Sequence, residues 1–180
     1  MAEGADPDVV LVAAGREDLP LVAALSRFYV YDIARAVTPA LDWPLTRDWL
    51  YDPGDWSFYW DEGNHPFLIE ADGRIAGFCL IDHRAIVETF DWNMGQFFVL
   101  GTMTGRGIGR SAACQAFARF PGLWQVTQVP ENLPAVAFWR ATISGFTGGR
   151  FEERVLPDPQ EEGDLSNVMT FISPPGSSPA

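Results

Sequence analysis

At 180 residues, 47% hydrophobic and 13% aromatic, the chain can bury one core without disulfide or metal staples and is too apolar to be disordered. Its 24 acidic residues against 12 basic ones leave a formal net charge of −12, which argues against a nucleic-acid binder because phosphate contacts need a basic surface. Every basic residue is arginine, so a lysine Schiff base, a Walker-type phosphate lysine and a serine–lysine pair are excluded.

Val9–Ala14 is a short apolar run suited to a first strand, and Leu21–Ala36 has the apolar spacing of one or two helices. The stretch Leu41–Trp60 is rich in Trp, Pro and Asp without a clean period. A short helix near Leu45–Tyr51 and a loop held by aromatic packing are expected there. Pro66–Ala71, Asp72-Gly73 and Arg74–Ile81 form the clearest local signal, a β-hairpin whose Asp-Gly suits the positive φ angles of a type I′ turn.

Gln96–Leu100 is apolar enough on both faces for a central strand, and a glycine-rich loop follows from Gly101 to Gly109. Gly107–Phe120 carries a helical stripe ended by Pro121-Gly122. Trp124–Val129 alternates like a strand, Asn132 with Pro134 opens another helix, and Phe151–Val155 and Asn167–Ile172 are further strands. The order predicts a mixed α/β fold: one domain over residues 1–172, with a disordered Ser/Pro-rich tail at 173–180.

Cys79 and Cys114 fall in no metal-binding or redox spacing and are expected as buried free thiols of a reduced compartment. His65 and His83 lack the helix-spaced partners of a zinc site, so no metal is expected. Met1–Asp8 has no signal-peptide pattern, and no apolar run nears the roughly 20 residues that span a bilayer. The expectation is a soluble cytoplasmic protein with no membrane partner.

Thr104-Gly-Arg-Gly-Ile-Gly-Arg110 lies between a buried strand and a helix. The first helical turn has unpaired N–H groups and a positive dipole end, glycines let the backbone approach a ligand, and Arg106 and Arg110 add charge. Residues 92–130 hold three arginines and no acid, so the rest of the chain carries −15. An anion therefore has one natural seat, although a tight strand-to-helix turn would use the same glycines. The spacing is neither the Gly-x-Gly-x-x-Gly of dinucleotide folds nor a Walker loop, which disfavours a nucleotide-binding oxidoreductase.

Gly107-Ile108-Gly109 after Phe97–Leu100, with Asn132-Leu-Pro-Ala135-Val-Ala-Phe138-Trp139 downstream, resembles the Gcn5-related N-acetyltransferase (GNAT) family. There, a Gln/Arg-x-x-Gly-x-Gly/Ala motif and an Asn-x-x-Ala-x-x-Phe-Tyr segment bind acetyl-coenzyme A. The resemblance spans roughly Val9 to Ile172. It implies a central twisted mixed sheet flanked by helices and transfer of an acetyl group to an amine of a small molecule or peptide. It implies backbone contacts to the coenzyme from Gly105, Arg106, Gly107, Ile108, Gly109 and Arg110. It also implies free strand amides around Phe98, Val99 and Leu100, and a side-chain contact from Asn132.

Two positions depart from the family pattern. Thr104 stands at the usual Gln/Arg, and Trp139 stands where many members carry the tyrosine that protonates the leaving thiolate. Indole has no such acidity. For the base, Glu88 and Asp91 just before the strand are the candidates, followed by Glu70, then His65 and His83. Gln96 is the polar residue on the strand itself. A catalytically weak relative that binds acyl-coenzyme A as a sensor or scaffold is the competing expectation. The acceptor is not named by these residues, and a homodimer stays open.

Overall fold

The computed structural model describes residues 6–37, 55–84, 86–87, 89–159 and 164–176. Its centre is a seven-stranded mixed sheet: β1 (Val9–Ala13), β2 (His65–Ala71), β3 (Arg74–Asp82), β4 (Trp92–Val99), β5 (Gly122–Gln128), β6 (Glu152–Pro157) and β7 (Leu165–Ser173), in the order β1-β2-β3-β4-β5-β7-β6. Neighbours run antiparallel except β4 and β5, which are parallel. A parallel pair needs a crossover, and α2 (Ile108–Arg119) supplies it. The other long helices are α1 (Leu19–Val37) and α3 (Leu133–Thr147).

The period of two along the inner strands sorts their side chains into two cores. Phe67, Ile69, Cys79 and Ile81 pack with Ile108, Phe117, Val136 and Trp139 of α2 and α3. Leu68, Phe78, Leu80 and Phe98 pack with Val22 and Leu25 of α1 on the opposite face. Strands buried on both sides need apolar residues at every position, and β3 is buried from Ala76 to Asp82.

The β2–β3 hairpin turns at Asp72 (φ 53°) and Gly73 (φ 70°), the two positive values that a type I′ turn requires. The first helix is a single element. It opens after a 3₁₀ turn at Arg16–Asp18, where the Asp18 carboxylate accepts from the Gly15 N–H at 2.9 Å, and it carries Pro20 in its first turn.

Most strands run a residue or more past the expected bounds, and two extensions have a clear cause. β4 starts at Trp92 rather than Gln96: the unpromising Asn93 pairs with Asp82, and Gly95 is a bulge residue that leaves room for the Asp82 carboxylate, described below. β7 runs through Ser173, whose hydroxyl donates to the Phe117 carbonyl at 2.7 Å. The helix expected near Leu45–Tyr51 and the tail beyond residue 176 lie outside the described residues. No described helix is long and apolar enough to cross a membrane.

Candidate active site

The glycine loop meets α2 as the sequence implies. Gly107 is the residue before the helix, with φ 78°, and Gly105 has φ 76°. This left-handed backbone costs an ordinary L-residue about 1–2 kcal/mol. The first helical bond runs from Ser111 N–H to Gly107 O at 2.9 Å. The N–H groups of Ile108, Gly109 and Arg110 therefore have no acceptor within the helix. Gly109 is glycine for another reason: a Cβ there would sit 3.3 Å from the Phe138 ring of α3. Arg106 reaches Asp72 of the hairpin at 3.2 Å, with both side chains about half exposed. Such surface pairs are worth little, so an anion can recruit the guanidinium. Arg110 lies against Gly145 of α3 and hydrogen-bonds Cys114.

Beside the loop, β4 and β5 part. They pair only from Trp92 opposite Trp124 to Met94 opposite Val126. Beyond that, β4 stays with β3 as far as Val99, and β5 stays with β7 as far as Gln128. Leu100 N–H donates to Ala76 O at 2.8 Å, so by strand alternation Phe98 also turns its N–H toward β3. Phe97 and Val99 present theirs to the gap. Of the three amides expected to be free, only that of Val99 is; Leu100 is engaged, and Phe97, which was not singled out, takes its place.

A cleft of about 220 Å³ fills this gap, lined by Tyr29, Gln96, Gln128, Asn132 and Trp139 among others. Asn132 opens α3, its Oδ1 accepting from Ala135 N–H at 3.3 Å. Gln128 is 7% exposed; its Oε1 accepts from Asn167 at 3.0 Å, and its Nε2 has no partner among the described residues. A buried donor without an acceptor is costly. Trp139 is buried edge-on to Phe97 and Phe138, at 5.0 and 4.9 Å between ring centres, so it is both core and cleft wall. Tyr29 of α1 supplies a phenol to this cleft from an element the motifs do not touch. Burial pushes its pKa up, so it stays protonated.

A second cleft, of about 170 Å³, adjoins the first and shares Gly95, Gln96, Thr127 and Asp158 with it. Its wall holds an acid that sequence reasoning overlooked. Asp82 ends β3 at 1% exposure. Its Oδ1 accepts from Asn93 Nδ2 at 2.6 Å and from Arg84 N–H at 3.0 Å. Oδ2 lies against Gly95, where any Cβ would collide with it and with the Tyr59 ring. Burial raises the Asp82 pKa, opposed by the bonds from Asn93 and Arg84 and by the charges of Arg84 and His83. Tyr59 hydrogen-bonds Gln96, and burial together with Asp82 lifts its pKa to about 12. The signal for Asp82 was present in the sequence as a carboxylate closing the apolar run Ile75–Ile81.

The expected bases fall elsewhere. Asp91 is exposed at the opposite end of β4, its carboxylate accepting from Leu123 N–H at 2.7 Å. It stands five residues from Gln96, or about 16 Å of extended strand, and binds backbone rather than facing the gap. Glu88 lies outside the described residues. Glu70 sits opposite Val10 and Ile75, two strands from β4. His65 and His83 flank the Trp92 ring at 5.5 and 5.2 Å, and His83 shares a hydrogen bond with Gly63 O. Burial lowers the His65 pKa.

A model of the acetyltransferase (GNAT) family matches residues 30–146, and the chain belongs to that family. No curated protein matches it. Among solved structures it is similar to an acetyltransferase from Thermus thermophilus, at 17% identity and TM-score 0.61, covering 91% of this chain and 96% of that one. A ribosomal-protein-alanine N-acetyltransferase from Brucella melitensis matches at 19% identity and TM-score 0.58, over 91% and 99%. The yncA protein of Salmonella typhimurium, solved with its cofactor acetyl-CoA, matches at 13% identity and TM-score 0.57, over 96% and 98%. At these identities the structures establish the shared fold.

Proposed function

We propose that the chain is an acetyl-coenzyme A-dependent N-acetyltransferase that acts in the cytoplasm on an amine of a small molecule or peptide. The carrying observation is that two clefts meet at Gly95, Gln96 and Thr127. One is lined by Phe97, whose strand leads on through Val99 to the glycine loop; the other has a buried carboxylate. The first fits acetyl-coenzyme A. The N–H groups of Ile108, Gly109 and Arg110 suit its pyrophosphate, and the orphaned Nε2 of Gln128 suits an amide carbonyl of its arm.

Acetyl-coenzyme A, bound there, supplies the acetyl group as a thioester. Phe97 and Val99 direct N–H dipoles into the gap, where negative charge grows on a carbonyl oxygen. Asp82 takes the proton from the amine, directly or through water. This is the larger demand, since an alkylammonium with a pKa near ~10.4 is almost wholly protonated at neutral pH. A carboxylate with a raised pKa is better matched to that task than an ordinary surface acid. A thiol of pKa ~8.5 leaves tolerably well as thiolate, so tryptophan at position 139 does not prevent turnover. The −15 carried outside residues 92–130 steers cationic acceptors toward the carboxylate side. Two buried free thiols, Cys79 and Cys114, suit a reducing compartment.

The buried Trp139 favours one rival reading, an acyl-coenzyme A sensor without turnover. A thermal-shift series followed by an acceptor panel separates the two. Stabilisation by acetyl-coenzyme A but not by NAD supports both. Acetyl transfer to spermidine, to alanine-terminated peptides or to other amines supports the enzyme. Binding without transfer across the whole panel supports the sensor.

A further inference from the structure

Gln125 of β5 is completely buried, in a position where a sheet interior ordinarily holds an apolar side chain. The side-chain hydrogen bonds that Gln125 makes within the described residues all go to one short stretch of backbone. Its Nε2 donates to Arg84 O at 2.6 Å, and its Oε1 accepts from Ile86 N–H and Val87 N–H, each at 3.2 Å. That segment leaves β3 directly after Asp82. Because β4 lies between β3 and β5 in the sheet, the segment crosses β4 to reach Gln125. The second cleft is lined by Arg84 and Ile86 of this segment together with Gln125 itself.

The same segment bonds the carboxylate. Arg84 N–H donates to Asp82 Oδ1 at 3.0 Å while the carbonyl of the same residue is held by Gln125. Asn93, the cross-strand neighbour of Asp82 and the parallel neighbour of Gln125, completes the circuit with its 2.6 Å bond to that oxygen. Both bonds fall on Oδ1, which leaves Oδ2 toward Gly95 and the cleft. The circuit therefore fixes which carboxylate oxygen faces an acceptor.

We propose that Gln125 is the positioning residue of this site: it latches the backbone of Arg84, Ile86 and Val87 across β4, holding the Arg84 N–H on Asp82 and walling the acceptor side of the cleft. The proposal rests on the reading of Asp82 as the proton acceptor. Hydrogen bonds to a carboxylate favour its charged form. Freeing Arg84 should thus raise the Asp82 pKa further and loosen the acceptor wall, while the glycine loop and the β4 amides stay as they are. The other groups around Asp82 are the charges of Arg84 and His83, the Tyr59 phenol and the Asp158 carboxylate on the shared cleft wall. None is removed by changing Gln125.

The test is a ¹³C NMR titration of side-chain carboxyls in the full-length protein, with the Asp82 resonance assigned by its loss in Asp82→Asn. It is repeated in Gln125→Met, which keeps length and removes both bonding ends. The expected result is a midpoint for Asp82 about one pH unit higher in Gln125→Met. The KM for the best amine of the panel should rise about tenfold, with that for acetyl-coenzyme A unchanged. If Gln125→Met does not fold, Gln125→Asn carries the same measurement, since its amide stays neutral but is one methylene shorter and loses the reach to Arg84. An unmoved Asp82 midpoint, or equal rises in both KM values, overturns the proposal. Full turnover in Asp82→Asn overturns instead the reading beneath it.

Discussion

The two sides of the β4–β5 gap are built by different means. On the α2 side the site is backbone. Gly107 turns into the helix with left-handed backbone, Gly109 makes room for Phe138, Phe97 and Val99 turn their amides outward, and pairing ends after Met94 and Val126. On the β3 side the site is a side-chain circuit of Asp82, Asn93, Arg84 and Gln125, joined by bonds of 2.6–3.0 Å. A backbone site follows from where elements begin and end, so it tolerates variation in most side chains. A buried circuit is only as good as its least satisfied member. The coenzyme half should therefore lose function by obstruction, and the acceptor half by single polar substitutions.

The largest expected effect lies in the circuit. Asp82→Asn should lower turnover by about 10²–10⁴-fold, with unchanged acetyl-coenzyme A affinity by calorimetry. The loss should shrink as pH rises and free amine appears unaided. Stability should not fall in parallel. Because burial raises the folded pKa of Asp82, the native state binds the proton more tightly than the unfolded chain. Its ionisation therefore opposes folding progressively as pH climbs from the unfolded pKa through the raised one. Asparagine removes that penalty and keeps an oxygen for Asn93 and Arg84, so Tm at pH 7 should be equal or higher. A clear drop in Tm would make Asp82 a structural group.

Obstruction on the other side comes next. Gly109→Val must push Phe138 aside and should weaken acetyl-coenzyme A binding about 10–100-fold without moving the pH profile. Unchanged affinity would remove the loop from the site. Arg110→Ala, which deletes charge and leaves the backbone seat, should cost about tenfold in the same titration. Trp139→Phe should change coenzyme affinity only a few-fold, because the ring packs on Phe97 and Phe138 and transfers no proton. A collapse of turnover at unchanged affinity would give that indole a chemical role.

The smallest effect lies outside both halves. The exposed Arg140–Glu153 pair, at 2.7 Å, depresses the Glu153 pKa through the arginine's hydrogen bonds. Its contribution is present above the unfolded glutamate pKa and lost as pH falls through the depressed one. Arg140→Ala should therefore lower Tm slightly near neutrality, by an amount that fades in acid and in high salt.

Legibility in the sequence followed the same divide. The Asp72-Gly73 hairpin, the strand–loop–helix around Gly107 and the Asn132 helix start stand where local chemistry put them, since turn residues, caps and periodicity act over a few neighbours. The start of β4 was misjudged because Asn93 and Gly95 are poor strand residues in isolation. They make sense only once Asp82 is opposite: Asn93 donates to its carboxylate, and Gly95 leaves room for it. Nearness along the chain likewise singled out Asp91, which the fold carries to the far end of the strand.

From the sequence alone came the family, the mixed α/β class and the loop and helix that suit a coenzyme, because each depends on glycines, caps and patterns contiguous in the chain. Tertiary structure alone decided which acid meets the gap. Asp82, Asn93 and Gln125 stand far apart in sequence and on three different strands. Only the antiparallel register of β3 with β4 and the parallel start of β4 with β5 bring them to one face. Burial there, rather than residue type, is what raises the carboxylate's pKa.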